Sequence, residues 1–324
     1  LNADKTVVIG AGQAAAKCAL ELRRLGYDGQ IVLLGDESTP PYQRPELSKS
    51  YLARSVASDE VIMLTPQMAS DAGIELKLGS TVERVDMDNR VVHAGGQQLA
   101  FDKLVFACGG RARKREDALS LRTLADADAL YTTLKTQQRL SIVGGGWLGL
   151  EVAATARSHG LEVSLHEQHD RLCARSLPPE ISELLLQHHK SIGVDIHLNS
   201  QLDDSSLSTD VVCACIGIEP NDQLARDAGV EVDRGILVNE RQMTSVPNVF
   251  AIGDCARQTD KAALENWAYA NVDNRLVCCV AINDPFQFGQ SRILYRSQRA
   301  LNKSELQDPK VMLKSVSKMK EAVS

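Results

Sequence analysis

Two short glycine patterns are the residues in this sequence best suited to chemistry. Gly10, Gly12 and Ala15 stand as G-x-G-x-x-A at the end of the apolar run Thr6-Val-Val-Ile9. Gly10 permits a tight turn, Gly12 lets backbone N–H groups approach a pyrophosphate at a helix N-terminus, and Ala15 keeps that helix close to the strand. Gly144, Gly146 and Gly149 form a complete G-x-G-x-x-G after Leu140-Ser-Ile-Val143. Each pattern is followed by a carboxylate where an adenosine ribose would present its hydroxyls. Asp36 lies 24 positions past Gly12, and Glu167 lies 23 past Gly144. A single match of this kind is weak, but two in one chain, each with its acidic terminus, point to two dinucleotide sites. Gln168 and His169 supply no Arg or Lys to meet a 2′-phosphate, which favours NADH over NADPH at the second site.

The elements that must position these residues follow from the pattern. The first turn opens an alanine-rich helix that runs to about Leu25 and ends at Gly26, and a strand from Gln30 to Leu34 closes with Gly35-Asp36-Glu37. The second turn opens a helix reaching about His159-Gly160, and a strand from Glu162 to Leu165 ends at His166-Glu167. A third element, Val246 to Asp254, is a short strand ending in Gly253-Asp254. A carboxylate there can accept hydrogen bonds from a sugar chain such as ribityl, and a plain surface turn explains the same residues equally well.

At 324 residues the chain is expected to form two or three domains, and 44% hydrophobic with 24% charged residues is the balance of a globular protein. The net charge of −6 argues against general nucleic-acid binding. Apolar runs such as Val211 to Ile218 suit buried strands and are too short to span a bilayer. The chain enters a strand at once without a signal-peptide segment, so the expected location is cytoplasmic. The eight cysteines show no CxxC or paired metal-ligand spacing. Cys213 with Cys215, and Cys278 with Cys279, are read as buried small hydrophobes. No metal site is expected. His166 and His169 flank a strand end and are read as solvated loop positions.

These segments together resemble the two-dinucleotide flavoprotein superfamily related to glutathione reductase. More narrowly, the chain resembles the ferredoxin reductase component of bacterial ring-hydroxylating dioxygenases and of some cytochrome P450 systems. The match rests on Pro40-Pro-Tyr-Gln-Arg-Pro-Glu-Leu-Ser-Lys49-Ser-Tyr-Leu52, on the segment from Gly144 to Arg157, on Arg171-Leu-Cys-Ala-Arg175, on Cys215-Ile-Gly-Ile-Glu-Pro-Asn221 and on Leu264-Glu-Asn-Trp267. It extends from about residue 4 to 320. The resemblance implies FAD in the first cradle and NADH in the second, with electrons passing through the flavin to an iron–sulfur ferredoxin that feeds an oxygenase of aromatic catabolism. It also implies that Arg44, Pro45 and Lys49 line the flavin, that Asp254 holds the ribityl chain, and that Glu265 and Trp267 approach from the other side. Gly109 and Gly217 join the implied cofactor contacts. Lys49 is implied to pair with Glu151, the carboxylate fixing a lysine that stabilises developing negative charge beside the flavin. Apart from the resemblance, a surface Lys and an early-helix Glu account for the two residues.

The departures from the family pattern are specific. Its Ala-Thr-Gly connector reads Ala107-Cys108-Gly109, and the Asn expected after the Trp segment is Tyr269. The chain contracts after Arg115, around 203–209 and around 257–261, and most of a third domain is missing after Trp267. The expected fold is α/β, with two Rossmann-like dinucleotide-binding domains and a shortened C-terminal interface domain. Residues 1–112 with 236–274 would bind FAD, 113–235 would bind NAD, and 275–324 would form the incomplete interface domain. Arg292, Arg296, Arg299 and Lys303 would make one basic helical stripe, either a docking face for an acidic protein or a solvated surface. Two other functions are weighed. A disulfide reductase needs a cysteine pair beside the flavin, and Cys18 stands alone after the first cradle. A non-catalytic NADH-responsive flavoprotein would signal by changing shape or oligomer.

Overall fold

The computed structural model describes residues 4–200 and 210–258. The chain divides into two compact units, Leu1–Ala174 with Pro179–Asp260, and Arg175–Pro178 with Lys261–Ser324.

The first unit opens with β1 (Lys5–Ile9), α1 (Gln13–Arg24) and β2 (Gln30–Leu34), then a 3₁₀ segment Arg44–Ser48. Next come α2 (Pro66–Asp71), β3 (Ile74–Lys77) and an antiparallel meander of β4 (Val82–Asp86), β5 (Val91–Ala94) and β6 (Gln97–Ala100). β7 (Lys103–Phe106), β8 (Gly110–Ala112) and α3 (Leu124–Thr136) lead to the second repeat. That repeat contains β9 (Arg139–Val143), α4 (Trp147–Ser158), β10 (Glu162–His166), α5 (Pro179–Ser191), β11 (Val194–His197) and β12 (Val211–Ala214). β13 (Ile218–Pro220), α6 (Gln223–Asp227), β14 (Ile236–Val238), β15 (Val249–Ala251) and β16 (Ala256–Gln258) complete it.

Two parallel sheets result, in the orders β15-β7-β1-β2-β3 and β11-β10-β9-β12. Successive residues of a strand face opposite sides. Thus Val7, Ile9, Val32, Leu34, Leu104 and Phe106 pack towards the meander, while Val8, Ile31, Leu33 and Val105 pack on Ala15, Ala16 and Ala19 of α1. Burial on both faces explains the unbroken apolar strands, and the small alanines let α1 lie close to the sheet.

The two βαβ repeats match bond for bond. Gly10 N donates to Leu34 O at 2.7 Å, and Gly144 N donates to His166 O at 2.8 Å. Gly35 N donates to Lys77 O and Glu167 N to His197 O, both at 2.9 Å. Arg23 of α1 donates to the carbonyls of Ala72, Tyr27, Gly29 and Gly73, and Arg157 of α4 likewise donates to those of Ile192 and Leu161. Each arginine ties the far end of its helix to neighbouring loops, fixing the helix whose other end meets the cradle.

The passage between the sheets is made by β8 and β13, which pair antiparallel, Gly110 opposite Pro220. Ala225 and Val230 already pack in the core of the first sheet, so the return to that core begins at α6, ahead of residue 236. The apolar run from Val211 is two strands rather than one, interrupted by Gly217 with φ +98°. Where a contraction is expected after Arg115 the chain forms a turn, in which Ala118 N donates to Arg115 O at 3.2 Å. No helix among the described residues is long and apolar enough to cross a membrane.

Candidate functional site

The first cradle is the turn between β1 and α1. Gly10 has φ +115°, and a Cβ there would run into the Ala107 carbonyl oxygen. Gly12 is the N-cap of α1, with no side chain capping the helix, and a Cβ there would meet only the Arg44 guanidinium at 4.0 Å. Backbone donors of the first helical turn therefore face an open approach, as a phosphate requires. Ala15 is fully buried beneath. Gly253, with φ +73°, leaves room for Ala14, whose Cβ would lie 2.9 Å from a side chain there. This close approach sets Asp254 near the entrance of α1.

Around this cradle the structure adds partners that the sequence did not single out. Arg44 pairs with Glu37 at 2.5 Å and also donates to the Tyr42 hydroxyl at 2.8 Å and the Arg122 carbonyl at 2.7 Å. Arg122 in turn donates to Asp254 at 2.7 Å and to Gly110 O at 3.0 Å. Its backbone N–H is fixed by Asp126, which closes a capping box with Thr123 at the start of α3. Gly109 has φ +63°, and its carbonyl accepts from Asn221 N at 3.0 Å. The Asn221 amide also donates to Cys108 O, tying the segment after Gly217 back to the first cradle.

Asp36 is exposed, and its carboxylate accepts from Glu37 N at 3.0 Å. By the matching bonds of the two repeats, the position that Glu167 holds in the second is Gly35 in the first. Asp36 stands one residue beyond it. The swap is steric: a Cβ on Gly35 would collide with Ala11, whereas Glu167 fits because Gly145 replaces that alanine.

The second cradle repeats the first. Gly144 has φ +106° and abuts the Cys215 carbonyl, while a Cβ on Gly149 would strike Gly144 O. Gly146 caps α4 without a side-chain bond, and a Cβ on it would meet nothing within 4 Å. Both cradles thus fit a dinucleotide pyrophosphate by shape and by free N–H donors. Glu167 is buried at the rim, where Oε2 accepts from Gly145 N at 2.7 Å and Oε1 accepts from His169 N at 2.9 Å. Burial pushes its carboxyl up, but the bonds from His169 and Gly145 outweigh that and hold it below the usual carboxylate value.

His169 lies in a partly exposed bend after β10, as expected of a loop position, whereas His166 does not. His166 ends β10 and stacks on His197 with ring centroids 4.6 Å apart, and burial beside that second imidazole pushes its pKa down. His169 Nδ1 lies 2.6 Å from Glu167 Oε1. The register of β10 with β11 sets His166 beside His197, and the bend after β10 brings His169 onto Glu167; periodicity carries no sign of either contact.

Between the cradles stands the pair expected of Lys49 and Glu151, with Nζ to Oε1 at 3.0 Å. Pro45 is the second residue of the 3₁₀ segment, its fixed φ suiting the first helical turn, and Lys49 is its C-cap. Ser48, only 2% exposed, donates to Glu151 Oε2 at 2.5 Å, and Thr155 Oγ1 donates to Ser48 O at 3.0 Å. Three bonds therefore clamp the first-cradle segment to α4. Glu265, Trp267 and the basic stripe lie outside the described residues, as do Cys278 and Cys279. Cys213 and Cys215 are buried, as expected. Cys108 and Cys255 are neighbours in space despite their separation in sequence, and the adjacent Cys255 thiol, with burial, raises the Cys108 pKa well above the ordinary thiol value. No group of His, Cys, Asp and Glu suited to a metal occurs among the described residues.

A family model described as pyridine nucleotide-disulphide oxidoreductase matches residues 4–271. Putidaredoxin reductase CamA of Pseudomonas putida is 36% identical over 283 residues, 78% of this chain and 67% of that protein. The ferredoxin–NAD(+) reductase component of the biphenyl dioxygenase system of Paraburkholderia xenovorans is 36% identical over 309 residues, 87% of this chain and 76% of that one. Among solved structures, the covalent putidaredoxin reductase–putidaredoxin complex superposes with a TM-score of 0.73 at 34% identity, covering 80% of this chain and 69% of that one.

Proposed function

The chain belongs to the pyridine nucleotide-disulphide oxidoreductase family, and from that premise we propose that it is an NADH-dependent flavoprotein reductase delivering electrons to an iron–sulfur ferredoxin of an oxygenase system. FAD would lie on Gly10, Gly12 and Ala15, with Asp36, Arg44, Pro45, Gly109, Gly253 and Asp254 around it. NADH would lie on Gly144, Gly146 and Gly149, with Glu167 and Gly217 at its edge. Bound FAD would supply the change from two-electron to one-electron transfer that a nicotinamide and an iron–sulfur cluster require of an intermediary. The protein's own task is to hold and orient: backbone donors take each pyrophosphate, and Lys49 presents a fixed positive charge between the sites.

The observation that carries this reading is the clamp of Ser48 and Lys49 onto Glu151 and Thr155 of α4. It makes one cradle's distal segment part of the other's surroundings, as transfer between two bound dinucleotides demands. The ferredoxin is supported by relatives named as ferredoxin reductase components, and by a solved complex of one of them with putidaredoxin. In this reading residues 1–112 and a return segment starting near α6 serve FAD and the intervening residues serve NAD, while 275–324 lie outside the described residues.

The test is reconstitution of the FAD-loaded protein with NADH and a [2Fe–2S] ferredoxin. Reduction of the ferredoxin that requires both FAD and NADH is expected. Flavin reduction without electron delivery to any such ferredoxin would favour an NADH-responsive, non-catalytic flavoprotein instead.

A further inference from the structure

Three donors from two residues converge on the Glu167 carboxylate: Gly145 N, His169 N and His169 Nδ1. An ionised carboxylate only accepts hydrogen bonds, so the contact with Nδ1 requires that nitrogen to carry the proton. In the neutral ring Nε2 is then a bare acceptor, on a side chain that is 42% exposed beside a carboxylate that is 10% exposed. The His169 backbone is itself anchored, its carbonyl accepting from Asn199 N at 2.9 Å after β11. Its place and its ring proton are both set by neighbours.

We propose that His169 is a positioning and specificity residue for the adenosine ribose of the nucleotide in the second cradle. It locks the Glu167 carboxylate in one orientation and presents an acceptor beside it. The rim thus offers acceptors to the donor hydroxyls of an unphosphorylated ribose and no neutral-ring donor to a 2′-phosphate. An arginine at the same place would reverse that preference, since a guanidinium is a permanent multiple donor. The inference rests on the second cradle holding NADH, and it adds a residue whose contribution passes through Glu167.

Calorimetric titration of the FAD-loaded full chain with NAD+ and with NADP+ tests it without reference to turnover. His169→Ala should weaken NAD+ binding about tenfold, equal to about 1.4 kcal/mol, and narrow the NAD+/NADP+ ratio by a similar factor. His169→Asn, whose side-chain amide can again donate to Glu167, should restore NAD+ affinity to within about threefold, a rescue that a merely space-filling role would not produce. His169→Arg should raise NADP+ affinity. Unchanged affinities in the Ala variant, or no rescue by Asn, would overturn the role of His169 while leaving the NADH reading intact. Failure of the parent protein to bind NAD+ would remove that reading and this inference with it. Should the Ala variant not fold, the Asn and Arg variants carry the same comparison.

Discussion

Lys49 Nζ lies 3.0 Å from Glu151 Oε1, joining the turn beyond the first glycine cradle to the helix that opens the second. The two side chains are 47% and 29% exposed, so the pair adds little to stability, about 1 kcal/mol or less. Its consequence is placement. Ser48 occupies the other carboxylate oxygen, Oε2, so each oxygen of Glu151 holds a neighbour from the same short segment.

Lys49→Ala should slow reduction of the bound FAD by NADH on the order of tenfold or more while FAD content stays unchanged. Glu151→Ala should do the same, and the double variant should be little worse than the poorer single, because the two share one interaction. Rapid-mixing kinetics of the three variants decide this. A double loss equal to the product of the single losses would mean the residues act independently.

Two of the glycines of the second turn, Gly144 and Gly146, should separate folding from binding. Gly144→Ala meets both a positive φ and the Cys215 carbonyl, so it should destabilise the domain by at least about 1–2 kcal/mol. Gly146→Ala has open space before it and should leave stability within about 0.5 kcal/mol while weakening NAD+ binding. Thermal melts and calorimetry of each variant measure the two effects. Equal melting temperatures for both would contradict the geometry.

The Glu167 charge should discriminate between nicotinamide cofactors. Glu167→Gln keeps an acceptor but removes the repulsion of a 2′-phosphate, and NADPH should gain on NADH about tenfold in kcat/KM, or about 1.4 kcal/mol. Steady-state kinetics with both cofactors test this, and a parent protein that prefers NADPH would refute it.

The same carboxylate should leave a mark on stability in acid. Its folded pKa is depressed below the ordinary value of 4.5. The stabilisation it contributes is therefore full above that value and is lost as pH falls through the lower folded pKa. Glu167→Gln should show a shallower decline of stability than the parent as pH falls below the ordinary carboxylate value. Parallel acid titrations of the two proteins would mean that Glu167 gains nothing from His169 and Gly145.

Much of this was legible in the sequence because it is written in local spacing. The turns at Gly10 and Gly144, the strands and helices around them, and the acidic position of Glu167 all follow from glycine pattern and apolar runs. Bonds between residues distant in sequence were not legible. Arg122 reaches Asp254 across 132 positions, and Ser48 reaches Glu151 across 103. Neither arginine nor serine carries a periodic signal that marks such a contact. Asp36 shows a different limit. Counting from Gly12 led to a carboxylate one residue past the structural equivalent of Glu167, because the first repeat exchanges that side chain for Ala11. His169 was read as a solvated loop position that supplies no Arg or Lys, since the bond that folds it onto Glu167 depends on the backbone bend at the strand end.

The most direct test of the account is anaerobic rapid mixing of the FAD-loaded protein with NADH, followed by a second mix with oxidised [2Fe–2S] ferredoxin. The account predicts that NADH bleaches the oxidised-flavin absorbance, that NADPH does so far more slowly, and that the absorbance recovers as the ferredoxin is reduced. Flavin that stays oxidised under NADH, or a reduced flavin that never passes electrons to ferredoxin, would contradict it.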